Sequence, residues 1–157
     1  MDQRKLSAWL KLIIAGCAAC GAALFAFILP AWLRSFALQY ARYSPWAWII
    51  CMWIAAIPCY GVLACGLRIA REIGADNSFS AVNARMLRIV AMLAAGDAAF
   101  LAVATVALCL AGEAPAILPV ISAFVCFAGL AISVAAACLS HLVLKAAKLQ
   151  EENDLTI

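Results

Sequence analysis

Charge is scarce in this sequence. Charged residues make up 12% of its 157 residues and hydrophobic residues 69%, whereas soluble domains contain about 25% and about 45–50%. A soluble domain of this size cannot bury so much apolar surface. The composition therefore excludes a soluble globular protein and predicts that the chain is surrounded by a lipid bilayer.

The sequence also lacks the short motifs that mark common enzyme sites. It contains no P-loop, no GxSxG, no HExxH, no GxGxxG after a strand, and only one histidine. We therefore expect no enzymatic activity, no cofactor and no bound metal. The eleven Lys and Arg residues lie at the ends of apolar runs, which argues against direct contact with nucleic acid.

The eight cysteines lie mostly inside apolar runs, where cysteine behaves as a small hydrophobic residue. Cys17 and Cys20 have CxxC spacing, but a second CxxC and a βαβ context are both missing. We therefore favour a packing role for the cysteines over a zinc or redox site.

Four apolar runs predict four transmembrane helices, at about residues 10–33, 46–67, 89–111 and 115–146. Each run reaches the roughly 18–20 residues that cross the hydrocarbon core. Because lipid offers no hydrogen bonds to the backbone, such segments have to be helical. We predict an all-α bundle of four transmembrane helices in one domain, with a loop at 68–88 and a tail at 147–157.

The basic residues predict the orientation of the bundle. Nine of them fall in the N-terminal segment, the loop 68–88 and the tail, whereas the opposite side has only Arg34 and Arg42. Basic residues are concentrated on the cytoplasmic side of a membrane, so we expect both termini to be cytoplasmic. An aromatic belt is expected on the outer side from Trp32, Tyr40, Tyr43, Trp46 and Trp48.

Asp97 interrupts the third apolar run, nine residues from Arg88 and so about 13 Å inside the helix end. An ionised carboxylate there costs about 2.5–3.5 kcal/mol on insertion scales, so it is protonated, paired or facing water. Counting inward from the basic residues places Cys20, Tyr60 and His141 at a similar depth. These four side chains predict either a site for a ligand or proton, or a structural hydrogen bond.

The loop and the tail are the second set of candidates. Ser80 is predicted to cap the helix that follows, with Asn83 at its third position. This side of the bundle is either a membrane anchor or a docking surface for a cytoplasmic partner. The docking candidates are Phe79, Ser80, Asn83, Arg85, Leu87, Arg88, Asn153, Asp154 and Leu155.

Two segments carry a family resemblance. The loop NSFSAVNARMLRI at 77–89 and the ending QEENDLTI at 150–157 resemble the loop and the "ENDLTI/V" ending of the bacterial domain-of-unknown-function family 2975. The resemblance implies a small four-helix protein of the bacterial inner membrane without known catalytic residues. It also implies frequent encoding beside small helix-turn-helix regulators of the Cro/CI type. Asp97 is not part of these motifs.

Two functional hypotheses follow. In the first, the protein is a membrane sensor or regulator that engages a cytoplasmic partner, such as a helix-turn-helix transcription regulator, while the bundle senses a membrane signal or a hydrophobic molecule. In the second, it is a small proton-linked or metal or small-molecule transporter that uses Asp97. Because four helices are few for alternating access, the transporter would act as a homo-oligomer.

Overall fold

The computed structural model describes residues 3–39, 45–75, 77 and 79–154, and these form an all-α fold. Four of its helical stretches are long and apolar enough to cross a membrane, which confirms the predicted four-span architecture. The helices are α1 (Gln3–Ala23), α2 (Leu29–Gln39), α3 (Pro45–Gly74), α4 (Ala81–Leu110) and α5 (Ile117–Asp154). A π-helical turn, Leu24–Ile28, joins α1 to α2, and we call this continuous unit the first span.

The helices are longer than the apolar runs that predict them. The helices α3 and α4 have 30 residues each and α5 has 38, or about 45 and 57 Å at 1.5 Å per residue. The hydrocarbon core is about 30 Å thick. Most of the predicted loop 68–88 therefore belongs to α3 and α4, and the tail is helical as far as Asp154. The last three residues lie outside the described residues.

One end of the bundle carries most of the basic residues, and we call it the basic end. The start of α1, the turn between α3 and α4, and the end of α5 meet there. The last part of α3 is held to the first span because Ser7 Oγ donates a hydrogen bond of 2.5 Å to the Ala70 carbonyl. The basic residues of this end that the structure describes with side chains are Lys5, Lys11, Arg68, Arg71, Arg85, Arg88, Lys145 and Lys148.

The helices α4 and α5 form an antiparallel hairpin that turns at Gly112. This glycine has a φ of 76°, a left-handed conformation that glycine adopts without steric cost. The amide of Gly112 bonds to the Cys109 carbonyl and that of Glu113 to the Leu108 carbonyl. These two bonds are those of a Schellman motif, which satisfies the last carbonyls of α4.

A ladder of side-chain hydrogen bonds locks the hairpin together. Each rung joins a hydroxyl or thiol on α5 to a backbone carbonyl on α4, and the rungs recur every seven residues on both helices. Seven residues are about two helical turns, so all rungs lie on one face. The rungs are Ser140 to Ala84 at 2.7 Å, Ser133 to Ala91 at 2.8 Å and Cys126 to Ala98 at 3.4 Å.

The helices pack in the order of the sequence. The first span contacts α3, α3 contacts α4, and α4 contacts α5. Within the described ranges no Cα atom of the first span lies within 8 Å of one in α5. The space between the first span and α5 is therefore filled by side chains and by cavities rather than by direct backbone packing.

The end opposite the basic end has the main apolar cluster, formed by Leu33, Trp48, Ile49 and Leu118. Trp48 is only 8% exposed, and its Nε1 donates a 2.8 Å hydrogen bond to the Glu113 carbonyl. The prediction that Trp48 belongs to an aromatic belt is therefore wrong, because its ring is buried and its N–H ties α3 to the hairpin turn.

Two of the other four predicted belt residues lie within the part of the chain that the structure describes. Trp32 and Trp46 are exposed near this end, as a belt requires. The Arg34 guanidinium lies 5.5 Å from the centre of the Trp46 ring, a cation–π distance. Tyr40 and Tyr43 lie outside the described residues.

Candidate functional site

Asp97 lies near the middle of α4 with its carboxylate turned toward α3. Its Oδ2 accepts a weak hydrogen bond from Cys59 Sγ at 3.8 Å. Its Oδ1 is buried and has no hydrogen-bond partner among the residues that the structure describes. Cys59 follows Pro58, which lies inside α3. An aspartate in this position has far more acceptor capacity than its one thiol donor satisfies.

A cavity of about 330 Å³ extends from Asp97 toward the end opposite the basic end, and we call it the Asp97 cavity. Its walls come from all four spans and are mostly apolar. The side chains with polar atoms are Asp97, the thiols Cys51 and Cys59, the indoles Trp32 and Trp48, and a pair of hydroxyls. These hydroxyls belong to Thr105 and Ser122, which are buried and hydrogen-bonded to each other at 2.5 Å. Asp97 and Thr105 are eight residues apart on α4, about 12 Å along the helix.

A second cavity of about 390 Å³ lies on the basic-end side of Asp97. It is lined by apolar residues of the four spans, including Val62, Leu93 and Ile132. Asp97 and Cys59 line both cavities. The carboxylate is thus at the boundary between two apolar spaces in the interior of the bundle.

The π turn of the first span contributes to the wall of the Asp97 cavity. Leu24 and Phe25 line the cavity, and the amide of Leu29 donates to the Leu24 carbonyl, five residues earlier. Such π turns inside α-helices are frequent at functional sites. The residues around Leu24 carry no compositional signal that would predict this turn.

Tyr60 and Cys20 lie near the depth of Asp97, as predicted, but not beside its carboxylate. The Tyr60 hydroxyl donates a 3.1 Å hydrogen bond to the Ala18 carbonyl of the first span. Cys20 is exposed on the surface of α1. The structure therefore gives Tyr60 a role in joining α1 to α3. The neighbour of Asp97 is Cys59, which nothing in the sequence distinguishes from the other cysteines in apolar runs.

The predicted depth of His141 is wrong. The Cys126 thiol on α5 bonds to the Ala98 carbonyl on α4, so the part of α5 level with Asp97 lies near Cys126. His141 is fifteen residues further along α5, about 22 Å away along the axis. The error arises because α5 projects beyond the other helices, so that counting inward from Lys145 starts too far out.

His141 belongs instead to a groove between α4 and α5 at the basic end, which we call the basic groove. Arg85 and Arg88 of α4 line it together with Ser140, His141 and Leu144 of α5. Phe79, in the turn just before α4, is 58% exposed. The groove thus combines two guanidinium groups and an imidazole with an exposed aromatic ring nearby.

Two of the docking candidates are buried and hold the turn. Ser80 Oγ accepts a hydrogen bond of 3.2 Å from the Asn83 amide, which confirms the predicted cap of α4. The Asn83 side chain is 2% exposed, and its Nδ2 donates to the Asn77 carbonyl at 3.2 Å. Ser80 and Asn83 therefore shape the turn and offer no surface to a partner.

The other docking candidates lie at the basic end with different degrees of exposure. Phe79, Arg85, Arg88 and Asn153 are exposed, and Leu87 is half-buried. Asp154 is the last helical residue, and Leu155 lies outside the described residues.

The cysteines and the other metal-ligating side chains are dispersed. All eight cysteines are free thiols. Over residues 3–39, 45–75, 77 and 79–154, no three His, Cys, Asp or Glu side chains are grouped so that they would hold a metal ion.

Comparison with known proteins gives one result. The profile of a family described as a protein of unknown function, DUF2975, matches residues 3–157, essentially the whole chain. No curated protein and no solved structure is found to match.

Proposed function

The chain belongs to the DUF2975 family, and we propose that it is a small membrane sensor whose basic end faces the cytoplasm and binds a helix-turn-helix transcription regulator. The observation that carries this proposal is the position of the exposed family-motif residue Phe79. It lies in the turn between two helices that extend past the apolar part of the bundle.

Hydrogen bonds tie the residues on both sides of Phe79 to the first turn of α4. The Ser80 cap and the buried Asn83 side chain fix the backbone on both sides of Phe79. A cap of this kind contributes about 1 kcal/mol. Since the ring of Phe79 is exposed while its backbone is held, it is suited to insert into an apolar pocket of a partner, as aromatic anchors do at interfaces.

The positive charge at the basic end indicates the charge that the partner's contact surface would carry. Arg85 and Arg88 are exposed on α4 directly after Phe79, and His141 faces them across the basic groove. Arginine binds carboxylates with paired hydrogen bonds. The proposed contact on the regulator is therefore acidic, with an apolar pocket for Phe79, and it lies away from the regulator's basic DNA-binding helix.

A single helix joins the two candidate sites. Asp97 and Arg85 both belong to α4, twelve residues and about 18 Å apart along the axis. The ladder fixes α5 to the same helix. A ligand that displaces α4 at the Asp97 cavity would therefore move the whole α4–α5 hairpin, with both walls of the basic groove, relative to α3 and the turn that carries Phe79. This movement is the proposed route from signal to partner.

The test is affinity capture from gently crosslinked native membranes, with mass spectrometry of the captured proteins. The full-length protein and a Phe79→Ala variant are compared with Phe124→Ala as the matched control, because Phe124 is 72% exposed on α5 and far from the basic end. A version that lacks Glu151 to Ile157 tests the tail.

The expected result is a helix-turn-helix regulator captured by the full-length protein and by Phe124→Ala, and lost with Phe79→Ala or with the truncation. Capture of such a regulator that is unaffected by both changes would contradict docking at the basic end. Capture of no regulator at all would contradict the proposed function.

A second candidate function is transport, and one observation favours it. Asp97 lines both interior cavities, as expected of a group that meets a substrate or proton from either side. Intramembrane carboxylates frequently mark ion and proton pathways.

One substitution distinguishes the two proposed functions. Under the transport hypothesis Asp97→Asn abolishes uptake or efflux by proteoliposomes, and truncation after Gln150 leaves it intact. Transport that survives Asp97→Asn would exclude this mechanism.

A further inference from the structure

The Asp97 carboxylate lies in surroundings that leave it short of donors. It has two oxygens with about four acceptor positions when ionised. One oxygen receives the weak Cys59 thiol, and the other is buried with no hydrogen-bond partner in the described part of the chain. Burying a charge or polar group without a partner is unfavourable, so a ligand that brings a strong donor to Oδ1 would be stabilised there.

The rest of the Asp97 cavity determines what that ligand has to be. Its walls are built from aromatic and aliphatic side chains such as Phe25, Trp48, Leu101 and Leu118. Apart from the carboxylate and thiol of Asp97 and Cys59, the side chains with polar atoms that line it are the Cys51 thiol, the indoles of Trp32 and Trp48, and the Thr105 and Ser122 hydroxyls. The two hydroxyls bond to each other, and the Trp48 N–H is bonded to the Glu113 carbonyl. A sugar, nucleotide or amino acid would find no partners for most of its polar groups. The ligand therefore has an apolar body and one donor group.

The size of the cavity restricts the ligand further. About 330 Å³ is at the lower end of the range for small-molecule sites. The 12 Å between the level of Asp97 and that of Thr105 sets the length. A compact molecule of one to three rings with a short arm satisfies both limits.

The packing of the helices also provides an entry route. The first span and α5 make no close backbone contact in the described ranges, although residues of both line the cavity. The gap between them faces the surrounding bilayer. A molecule that is concentrated in the membrane would enter sideways between these two spans without crossing the basic end.

We propose that the Asp97 cavity is a binding site for a lipophilic organic amine, whose protonated amino group bonds to the Asp97 carboxylate while its apolar body fills the cavity. A protonated amine supplies the missing donor and the opposite charge together, and such charge-assisted hydrogen bonds are the strong ones. This deepens the proposed sensor function, on which it rests for taking the amine as the signal, by naming the class of molecule that is sensed.

The experiment is calorimetric titration of the full-length protein in phosphatidylcholine nanodiscs, with empty nanodiscs subtracted. The probes are 1-adamantylmethylamine and 1-adamantylmethanol, which share the same apolar body and differ in the charged group. The variants are Asp97→Asn, which keeps the shape of the side chain, and Ala104→Leu, which fills part of the cavity. Glu151→Gln, on the exposed end of α5, is the control for loss of one negative charge.

We expect the wild type and Glu151→Gln to bind the amine at least tenfold more tightly than the alcohol. Asp97→Asn should weaken the amine at least tenfold and leave the alcohol nearly unchanged, whereas Ala104→Leu should weaken both. Equal affinity for the two probes, or amine binding that Asp97→Asn leaves intact, would overturn the proposal. If Asp97→Asn does not fold, unchanged amine binding by Ala104→Leu would overturn it instead.

The outcome is separable from that of the capture experiment. Amine binding through Asp97 without any captured regulator would retain the site and remove the sensor function. A regulator captured through Phe79 without amine binding would retain the sensor and remove the proposed ligand class.

Discussion

Removing two rungs of the hydrogen-bond ladder should weaken the α4–α5 hairpin by a calculable amount. Ser133 and Ser140 each donate to an α4 carbonyl, at 2.8 and 2.7 Å. Hydrogen bonds between membrane helices contribute about 0.6 kcal/mol on average. The carbonyls keep their own helical partners, so Ser→Ala leaves no orphaned acceptor.

The double variant Ser133→Ala with Ser140→Ala should therefore lower the free energy of unfolding by about 1.2 kcal/mol. That corresponds to about a sevenfold increase in the unfolding equilibrium constant. The two serines are seven residues apart, about 10 Å along the helix, so their effects should add. The assay is steric trapping in bicelles, which measures unfolding at equilibrium without denaturant.

The matched control is Ser35→Ala. The Ser35 hydroxyl donates to the Ala31 carbonyl at 3.0 Å within the same helix, so it joins no two spans and its loss should cost little. A double variant as stable as the wild type, or a Ser35→Ala cost equal to that of Ser133→Ala, would refute the ladder as a source of stability.

Three further predictions concern packing, capping and orientation. Gly129→Leu should lower the free energy of unfolding, measured by steric trapping, by about 1–3 kcal/mol, because a Cβ there would already lie 3.3 Å from Ala98 Cβ. Gly96→Leu, which has open space at its Cβ, should lower it far less. Equal losses for the two variants would contradict the packing. Ser80→Ala should lower stability by about 1 kcal/mol and reduce amide protection in the first turn of α4, whereas unchanged protection would show that the cap is dispensable. A green fluorescent protein fused to the C-terminus should fluoresce in a bacterial host and alkaline phosphatase fused there should be inactive; the reverse pattern would contradict cytoplasmic termini.

The features that the sequence predicts well depend on local chemistry. The four spans follow from apolar length, and the Ser80 cap follows from a side chain bonding three residues along. Helix ends are predicted less well because hydropathy marks the apolar stretch, whereas the helix continues for as long as its backbone bonds do. That is why α5 reaches Asp154 while its apolar run stops near residue 146.

The arrangement of the Asp97 cavity depends on how each helix is rotated about its own axis and on how far it is shifted along that axis relative to its neighbours. A single sequence does not specify either quantity. Tyr60 and Cys59 are adjacent, yet successive residues differ by about 100° around a helix. Cys59 therefore faces Asp97 while Tyr60 faces α1. The predicted depth of His141 is wrong because α5 projects beyond the other helices. The π turn at Leu24 has no compositional signature. These are tertiary properties, and they decide what lines the Asp97 cavity.

The most direct test of the proposed function is site-specific photo-crosslinking in living cells. A photo-reactive amino acid is placed at position 79, in the exposed turn of the basic end, and at position 124 on the opposite half of α5 as the control. We expect a crosslinked adduct with a helix-turn-helix regulator from position 79 alone. An adduct of equal yield from position 124, or none with such a regulator from position 79, would contradict it.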